Sequence, residues 1–476
     1  MQPTEILKQT FGHQSFRGQQ EQIMNTLLRG GHALVIMPTG GGKSLCYQVP
    51  ALSLASIGSG MTVVISPLIA LMKDQVDALT RKKIRAAFIN SSLTRQQREE
   101  SYAALEQGRY DLIYVTPERF RKPDFLAALG EQRVALLAVD EAHCISQWGH
   151  DFRPEYTRLE EIRRILGQPV TVALTATATR EVQQDIVNQL GLTSGKVRLF
   201  HEGIDRPNLD LQVDRVWGEQ EKLDRILHTR TRYPGPGIVY FSLIRSLETM
   251  SEMLEAHKVE HLVYHGKLNP SERRSLQETF MRGDDQLVLA TNAFGMGIDK
   301  PNIRFVVHAE IPGSMESYYQ EIGRAGRDQQ PSLCLLLYDE SDLAIQMEFI
   351  QWSNPDADFC QRVYEYLQRD TEKIHAFGQE WLRDQLHFRN RHDFRLETVL
   401  QLFDRYGVLK GNLNPLHIEQ LQPMPTALTN PEKRQDKLLR DQKKLHTLLE
   451  YVKYDGDRKA FIHDYFGLPY EQSIEK

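Results

Sequence analysis

The sequence predicts an α/β protein with two tandem parallel-sheet lobes and a small, mainly α C-terminal region. Three observations predict it. Short continuous apolar runs recur between longer segments of mixed polarity. The alternation restarts after Gly235-Pro236-Gly237, and beyond residue 345 it gives way to helical periodicity alone. A continuous apolar run bounded by turn residues suits a strand buried on both faces, and strands alternating with helices build a parallel sheet.

In chain order, residues 1–30 read as helical and stop at Gly30-Gly31. The run 32–37 is a first strand, closed by Pro38. Runs at 62–66, 112–116, 136–139 and 170–174 continue the first sheet, with helices at 71–80 and 96–107 between them. The second series is 238–241, 262–264, 287–290, 305–308 and 333–338. The lobes meet near 200–212, around Asp205-Arg206-Pro207-Asn208. These patterns give a first lobe at 1–204 and a second at 205–345. Residues 394–406 read as an amphipathic helix, and 407–411 with 417–421 as a hairpin, so 346–422 is a helical region with a candidate winged helix. Pro423, Pro425 and Pro431 mark a linker, and 432–467 read as a helical pair within a last segment, 423–476. The two lobes are the only duplication.

A chain of 476 residues makes roughly three domains. Its 41% apolar and 25% charged residues are those of a soluble folded protein. No run approaches the ~20 apolar residues of a membrane helix. The N-terminus lacks a basic stretch followed by an apolar one, so the reading is cytosolic, with no membrane partner. A net charge of −5 gives no basic footprint for nucleic acid, although a motor can confine its cations to one channel. Cys46, Cys144, Cys334 and Cys360 form no CxxC pair, which argues against a zinc ribbon or redox dithiol and for buried, reduced thiols.

The strongest chemical signal is Thr39-Gly40-Gly41-Gly42-Lys43-Ser44, directly after a strand. Consecutive glycines let backbone N–H groups close around phosphate oxygens, and the following helix points its positive end at the same anion. Lys43 can reach the β- and γ-phosphates of ATP and Ser44 can hold magnesium. Met37 stands where the strict phosphate-loop pattern has its first glycine. The bland alternative is a glycine-rich turn with an incidental lysine, which the strand before it and helix after it disfavour.

The second signal is the apolar run 136–139 leading into Asp140-Glu141-Ala142-His143. A strand delivers two adjacent carboxylates to its C-terminal tip. Asp140 can hold magnesium, and Glu141 can orient and deprotonate an attacking water. Alone, such a pair is as often a solvated turn; downstream of a phosphate loop and spelling DEAH, it reads as catalytic. The third signal is Gly323-Arg324-Ala325-Gly326-Arg327 in the second lobe. From a facing lobe Arg324 and Arg327 can act as arginine fingers, with Arg327 the stronger candidate. Standing alone, the same residues would be a phosphate-contacting turn or a surface charge.

These three segments resemble motifs I, II and VI of superfamily-two helicases, and the finer spelling resembles the RecQ family of DNA helicases. The segment Phe11-Gly12-His13-Gln14-Ser15-Phe16-Arg17-Gly18-Gln19-Gln20 is similar to that family's adenine-reading motif, which implies adenine contacts for Gln20 and Arg17. Cys144-Ile145-Ser146-Gln147-Trp148-Gly149-His150-Asp151-Phe152-Arg153-Pro154 resembles its aromatic-rich loop. The resemblance continues through Ser66-Pro67-Leu68-Ile69-Ala70, Thr175-Ala176-Thr177-Ala178, Tyr264-His265-Gly266 and Ala293-Phe294-Gly295-Met296-Gly297, covering about residues 5–345. It implies two RecA-like lobes and an ATP- and magnesium-dependent 3′-to-5′ DNA helicase acting in repair, recombination or replication. Single-stranded and tailed duplex DNA would be its partners, with a monomer as the simplest state.

Side-chain chemistry agrees. Trp148 and Phe152 offer flat faces for unpaired bases and Arg153 a cation, while Ser66 and Thr291 at strand tips can grip phosphates. Trp148 can equally be lobe packing. The segment 451–467 resembles the helix that carries a first zinc cysteine in many RecQ proteins, but Asp457 stands in the cysteine position. No structural zinc is therefore expected. An RNA helicase or remodeller on the same motor, or a DNA-binding adaptor with a weak motor, are the other readings. DNA-over-RNA stimulation of hydrolysis separates the first, and the intact Lys43, Glu141 and Arg327 speak against the second.

Overall fold

The computed structural model describes residues 2–38, 40–67, 69–90, 92–130, 132–146, 156, 158–201, 206–295, 298, 300–386, 393–413 and 415–470, with backbone alone for Ala70 and Ser194. Thr39, Trp148, Phe152 and Arg153 lie outside the described residues.

The first lobe contains helices α1 (Pro3–Gln9), α2 (Gln20–Leu28), α3 (Leu45–Ser56), α4 (Ile69–Arg81), α5 (Arg95–Glu106), α6 (Pro123–Leu129), α7 (Leu159–Ile165) and α8 (Arg180–Gln189). Its strands are β1 (His32–Ile36), β2 (Met61–Ile65), β3 (Ala86–Ile89), β4 (Leu112–Val115), β5 (Val134–Val139), β6 (Val170–Thr175) and β7 (Val197–His201), in the order β3-β4-β2-β5-β6-β1-β7. All their pairings are parallel. Side chains alternate across the sheet: Leu34 and Ile36 of β1 enter one core, Ala33 and Val35 the other. Burial on both faces explains why the central strands read as unbroken apolar runs. The stretch expected to be helical at 1–30 is two helices, separated where Gly12 and Gly18 take positive φ.

The second lobe contains β8 (Leu209–Arg215), β9 (Gly237–Tyr240), β10 (Leu262–Tyr264), β11 (Leu287–Ala290), β12 (Phe305–His308) and β13 (Ser332–Tyr338), ordered β10-β11-β9-β12-β13-β8. The strands from β10 to β13 pair in parallel. Helices α9 (Gly218–Arg232), α10 (Ile244–Ala256), α11 (Pro270–Arg282) and α12 (Met315–Ile322) connect them. Strands β3, β7 and β8 escape the sequence pattern because they are short or polar on one side: Arg198 of β7 and Asp210 and Asp214 of β8 break the apolar run.

The C-terminal region is helical, as expected. It consists of α13 (Leu343–Ser353), α14 (Ala357–Arg369), α15 (Thr371–Gln385), α16 (Arg395–Arg405), the antiparallel hairpin β14 (Leu409–Leu413) and β15 (Leu416–Leu421), α17 (Thr426–Thr429), α18 (Pro431–Lys453) and α19 (Arg458–Tyr465). Phe359, Val363, Leu382, Leu396, Phe403 and Leu416 share one core there. The chain forms two compact units: Met1–Ala309, Glu316–Leu337 and Asp455–Lys476 in one, Glu310–Met315 and Tyr338–Tyr454 in the other. The helical pair read at 432–467 is therefore divided. Helix α18 is fixed to α13, with Lys437 and Asn354 both donating to Asp441 at 2.9 and 2.8 Å. Helix α19 belongs with the lobes. All four cysteines are buried. No described helix is long and apolar enough to cross a membrane.

Candidate functional site

The loop between β1 and α3 has the shape its glycines allow. Gly40 and Gly42 both sit at φ +83°. A Cβ on Gly41 would lie 2.6 Å from Cγ of Met37 and 3.0 Å from the Pro38 carbonyl, and one on Gly42 would lie 2.5 Å from Nε2 of Gln20. The glycines are thus demanded by conformation and by contact. Lys43 donates from Nζ to the Met37 carbonyl at 3.0 Å. Burial lowers its pKa, against the opposing pull of Glu141 and Asp140, and the Arg327 guanidinium adds to the lowering.

Gln20 supplies a contact the sequence did not reveal. Its Nε2 donates to the carbonyls of Gly41 (3.2 Å) and Gly42 (3.4 Å), and its Oε1 accepts the Arg17 N–H at 3.0 Å. Only 2% of Gln20 is exposed. The residue assigned to adenine from its motif is, in this structure, also a latch on the phosphate loop. The three-residue spacing of two polar groups on a loop and a helix start gave no signal of bonds to residues 21 and 22 positions on.

The carboxylate pair follows β5. The Asp140 N–H bonds the Ile65 carbonyl at 2.8 Å, continuing the β2–β5 ladder. Glu141 then turns at φ +48°, unusual for a side-chain-bearing residue, and its N–H donates to Oδ1 of Asp140 at 3.0 Å. Burial, then the neighbouring Glu141 charge, pushes the Asp140 carboxyl up to about 7, opposed by Lys43. Oε2 of Glu141 is buried without a hydrogen-bond partner. Two crowded acids of this kind fit a divalent cation.

His143 ties this pair to β6. Its Nδ1 lies 3.0 Å from Oγ1 of Thr175 and 3.4 Å from Oε2 of Glu141. The Thr175 hydroxyl gives its one hydrogen to the Thr177 carbonyl at 2.9 Å and accepts the Thr177 N–H at 3.2 Å. It must then accept from His143, which assigns the proton to Nδ1. Glu141 is thereby linked to the Thr175-Ala176-Thr177 turn through one buried imidazole.

The arginines diverge. Arg327 donates from Nη1 to the Ile298 carbonyl at 3.0 Å, and its Cδ lies 3.4 Å from where a Gly40 Cβ would stand. The second lobe thus lays Arg327 against the phosphate loop of the first, within electrostatic reach of Lys43. Arg324 instead donates to the Gly295 carbonyl. Behind it Tyr240, its phenol pushed up to about 12 by burial, donates to the Phe294 carbonyl at 2.8 Å and stacks on His308, which bonds Glu321 at 2.7 Å. Lys43, Asp140, Glu141 and Arg327 come together; Arg324 faces the second lobe's interior.

Ser66 and Thr291 stand at the ends of β2 and β11, as read, and both are nearly buried, at 1% and 7% exposure. Helix α19 docks on the second lobe. Tyr465 donates to Glu316 at 2.8 Å and Phe466 packs edge-on to Tyr319. Asp457, where the resemblance would put a zinc ligand, is already engaged by other groups. Oδ1 of Asp457 caps α19 by accepting the N–H groups of Lys459 (2.9 Å) and Ala460 (3.2 Å), and Oδ2 accepts the Tyr470 hydroxyl at 2.7 Å. Among the described residues no group of three or more His, Cys, Asp or Glu is placed to hold a metal.

Two family models match: DEAD/DEAH box helicase over residues 17–185 and helicase conserved C-terminal domain over 218–329. The ATP-dependent DNA helicase RecQ of Bacillus subtilis is 46% identical over 352 residues, 73% of this chain and 58% of that protein. RecQ of Haemophilus influenzae is 44% identical over 339 residues, covering 71% and 54%. The probable ATP-dependent DNA helicase RecS of Bacillus subtilis is 40% identical over 371 residues, covering 78% and 73%. The chain thus spans little more than half the length of the two RecQ proteins. Among solved structures, the DUF1998 helicase MrfA bound to DNA and AMPPNP superposes with a TM-score of 0.60 at 19% identity, covering 73% of this chain and 52% of that one, a likeness of fold. From the relatives' identity and coverage, together with the two motif-bearing lobes, the chain belongs to the RecQ family of superfamily-two helicases.

Proposed function

We propose that this chain is an ATP-dependent DNA helicase that moves 3′ to 5′ along single-stranded DNA and separates duplex ahead of it, in repair, recombination or replication. The observation that carries the reading is Arg327 of the second lobe lying against Gly40 of the first, beside Lys43, Asp140 and Glu141. A nucleotide in such a cleft is held by both lobes at once, so its hydrolysis changes how strongly they attract each other. The relatives' names, ATP-dependent DNA helicases, support DNA as substrate.

In this reading the backbone of Gly40, Gly41 and Gly42, with Thr39, cradles the phosphates of ATP, and Lys43 neutralises the β- and γ-oxygens. Ser44 and Asp140 would hold magnesium, which supplies charge neutralisation between those oxygens. Glu141 orients a water for in-line attack on the γ-phosphorus and takes its proton as the bond to the β-phosphate oxygen breaks. His143, held to Thr175 through Nδ1–H, keeps its ring 3.4 Å behind the Glu141 carboxylate. Arg327 stabilises the charge that develops on the γ-phosphoryl oxygens, with Arg324 bracing the loop at Gly295. Gln20 and Arg17 border the adenine. Trp148, Phe152 and Arg153 contact unpaired bases and phosphate, and Ser66 and Thr291 the backbone, each lobe gripping in turn. A cytosolic location and the absence of structural zinc belong to the same reading.

The test is unwinding of 3′-tailed against 5′-tailed DNA duplexes with magnesium and ATP, alongside hydrolysis stimulated by single-stranded DNA or RNA. Unwinding confined to the 3′-tailed duplex with DNA-preferring stimulation supports the proposal. Equal unwinding of both tails, or stimulation by RNA alone, overturns it.

A further inference from the structure

The turn that presents Arg327 is held from a distance in sequence. Helix α12 ends at Ile322, and a helix end leaves carbonyls without intrahelical partners. Arg206 takes three of those that follow: its guanidinium donates to the carbonyls of Gly323 (3.5 Å), Ala325 (2.8 Å) and Gly326 (2.8 Å). Asn208 adds two bonds from Nδ2, to Gly326 at 2.8 Å and Gln330 at 2.9 Å, while its own carbonyl accepts the Ser332 N–H at 3.0 Å. Gly326 sits at φ +53°, and a Cβ there would lie 2.4 Å from Nδ2 of Asn208. The close approach therefore requires glycine at the position just before Arg327.

Residues 206–208 immediately precede β8, where the chain enters the second lobe. Their backbone is gripped from the other side: Nζ of Lys459, on α19, donates to the carbonyls of Arg206 (3.1 Å) and Pro207 (3.3 Å). The Gly323 carbonyl is shared, since Nε of Arg327 also reaches it at 3.5 Å. The arginine turn is thus referenced to the interlobe junction by a planar fork that a lysine cannot reproduce.

We infer that Arg206 and Asn208 are positioning residues for Arg327, fixing the turn that carries it to the segment joining the lobes. This rests on the ATPase reading above. Among the described residues the hydrogen bonds of Arg206 and Asn208 go to the arginine turn and its flank and not to the phosphate loop, so each acts through Arg327 and not on the nucleotide.

The experiment uses the full chain, measuring kcat and KM for ATP with saturating single-stranded DNA in Arg206→Lys, Asn208→Ala, Arg327→Ala and the Arg206→Lys/Arg327→Ala pair. Arg206→Lys should lower kcat by about tenfold to a hundredfold, with KM within about threefold and an unchanged melting temperature, because misplacement of a transition-state contact costs turnover more than ground-state binding. In the Arg327→Ala background the same change should cost less than about twofold. Losses that multiply in the pair, or a wild-type kcat in Arg206→Lys, overturn the inference. If Arg206→Lys does not fold, Asn208→Ala is read by the same criteria. Amide exchange of residues 326–330 gives a readout independent of hydrolysis: faster exchange in Arg206→Lys supports the inference, and unchanged exchange overturns it. A wild-type chain that turns over no ATP would sink the function reading, while the exchange result would still decide the positioning role.

Discussion

Gly42→Ala probes the phosphate loop through a single carbon. The residue sits at φ +83°, where an alanine costs about 1–2 kcal/mol over its ordinary conformations. The new Cβ would stand 2.5 Å from Nε2 of Gln20, so that amide must swing away. It then gives up its bonds to Gly41 and Gly42, which at 3.2 and 3.4 Å are long and worth roughly 0.5–1 kcal/mol each. Together, about 2–4 kcal/mol weighs against the cradling shape of the loop. The free protein relaxes to another loop conformation, and nucleotide must restore the cradle on binding. ATP affinity should therefore fall roughly 30- to 1,000-fold at 1.4 kcal/mol per decade. Titration calorimetry with magnesium and a non-hydrolysable ATP analogue measures it directly. Gln20→Ala removes the clash, so adding Gly42→Ala to it should cost only the conformational share, about tenfold. The adenine assignment of Gln20 separates from its latch role in the same assay: a latch alone weakens ATP and GTP alike, whereas adenine reading also narrows the gap between them. Gly42→Ala binding within about threefold of wild type would refute the reasoning, since neither the backbone strain nor the Gln20 contact would then matter to nucleotide.

Lys43→Ala should abolish hydrolysis and unwinding while the far-ultraviolet circular dichroism spectrum stays that of wild type; appreciable turnover in that variant would remove the basis for the phosphate-site assignment. Trp148→Ala or Arg153→Ala should leave DNA-independent hydrolysis intact but reduce both DNA stimulation and unwinding, and stimulation at the wild-type level would make that loop a packing element. Metal analysis should find well under one zinc per chain, and EDTA should not shift the melting temperature; tightly held zinc would restore a metal site that Asp457 does not fit. Although burial opposes it, the Tyr470 hydroxyl and the N–H groups of Ala460 and Lys459 hold the Asp457 carboxyl below its ordinary value of 3.8. A depressed carboxyl stabilises the folded form above that value and loses its contribution as pH falls through the folded one, so α19 should loosen in acid, and Asp457→Ala should abolish that dependence. Limited proteolysis after α18 across about pH 2 to 5 reads it.

The sequence by itself determined the chemistry-bearing segments and the layered architecture. Central strands such as 62–66 and 136–139 are legible because burial on both faces excludes charged side chains and leaves a mainly apolar run. The glycines at 40–42 are legible because only glycine takes their φ values or tolerates Met37 and Gln20 so near. The edge strands β7 and β8 were not legible, since a strand exposed along one side carries polar residues that read as loop, and β3, though apolar, is only four residues long. The sequence reading favoured Arg327 over Arg324, but the tertiary structure alone decided which carbonyl anchors each of them. Arg324 and Arg327 are three apart in sequence, and nothing in that spacing says which carbonyl each will find; Gly295 holds one and Ile298 the other. It also decided that Gln20 latches Gly41 and Gly42, that His143 joins Glu141 to Thr175, and that Arg206 grips a turn more than a hundred residues away. Periodicity reports which face of an element is buried, because burial is a property of the residue and its near neighbours. Long-range hydrogen bonds between single polar groups leave no periodic trace, and only the folded chain brings their partners into register.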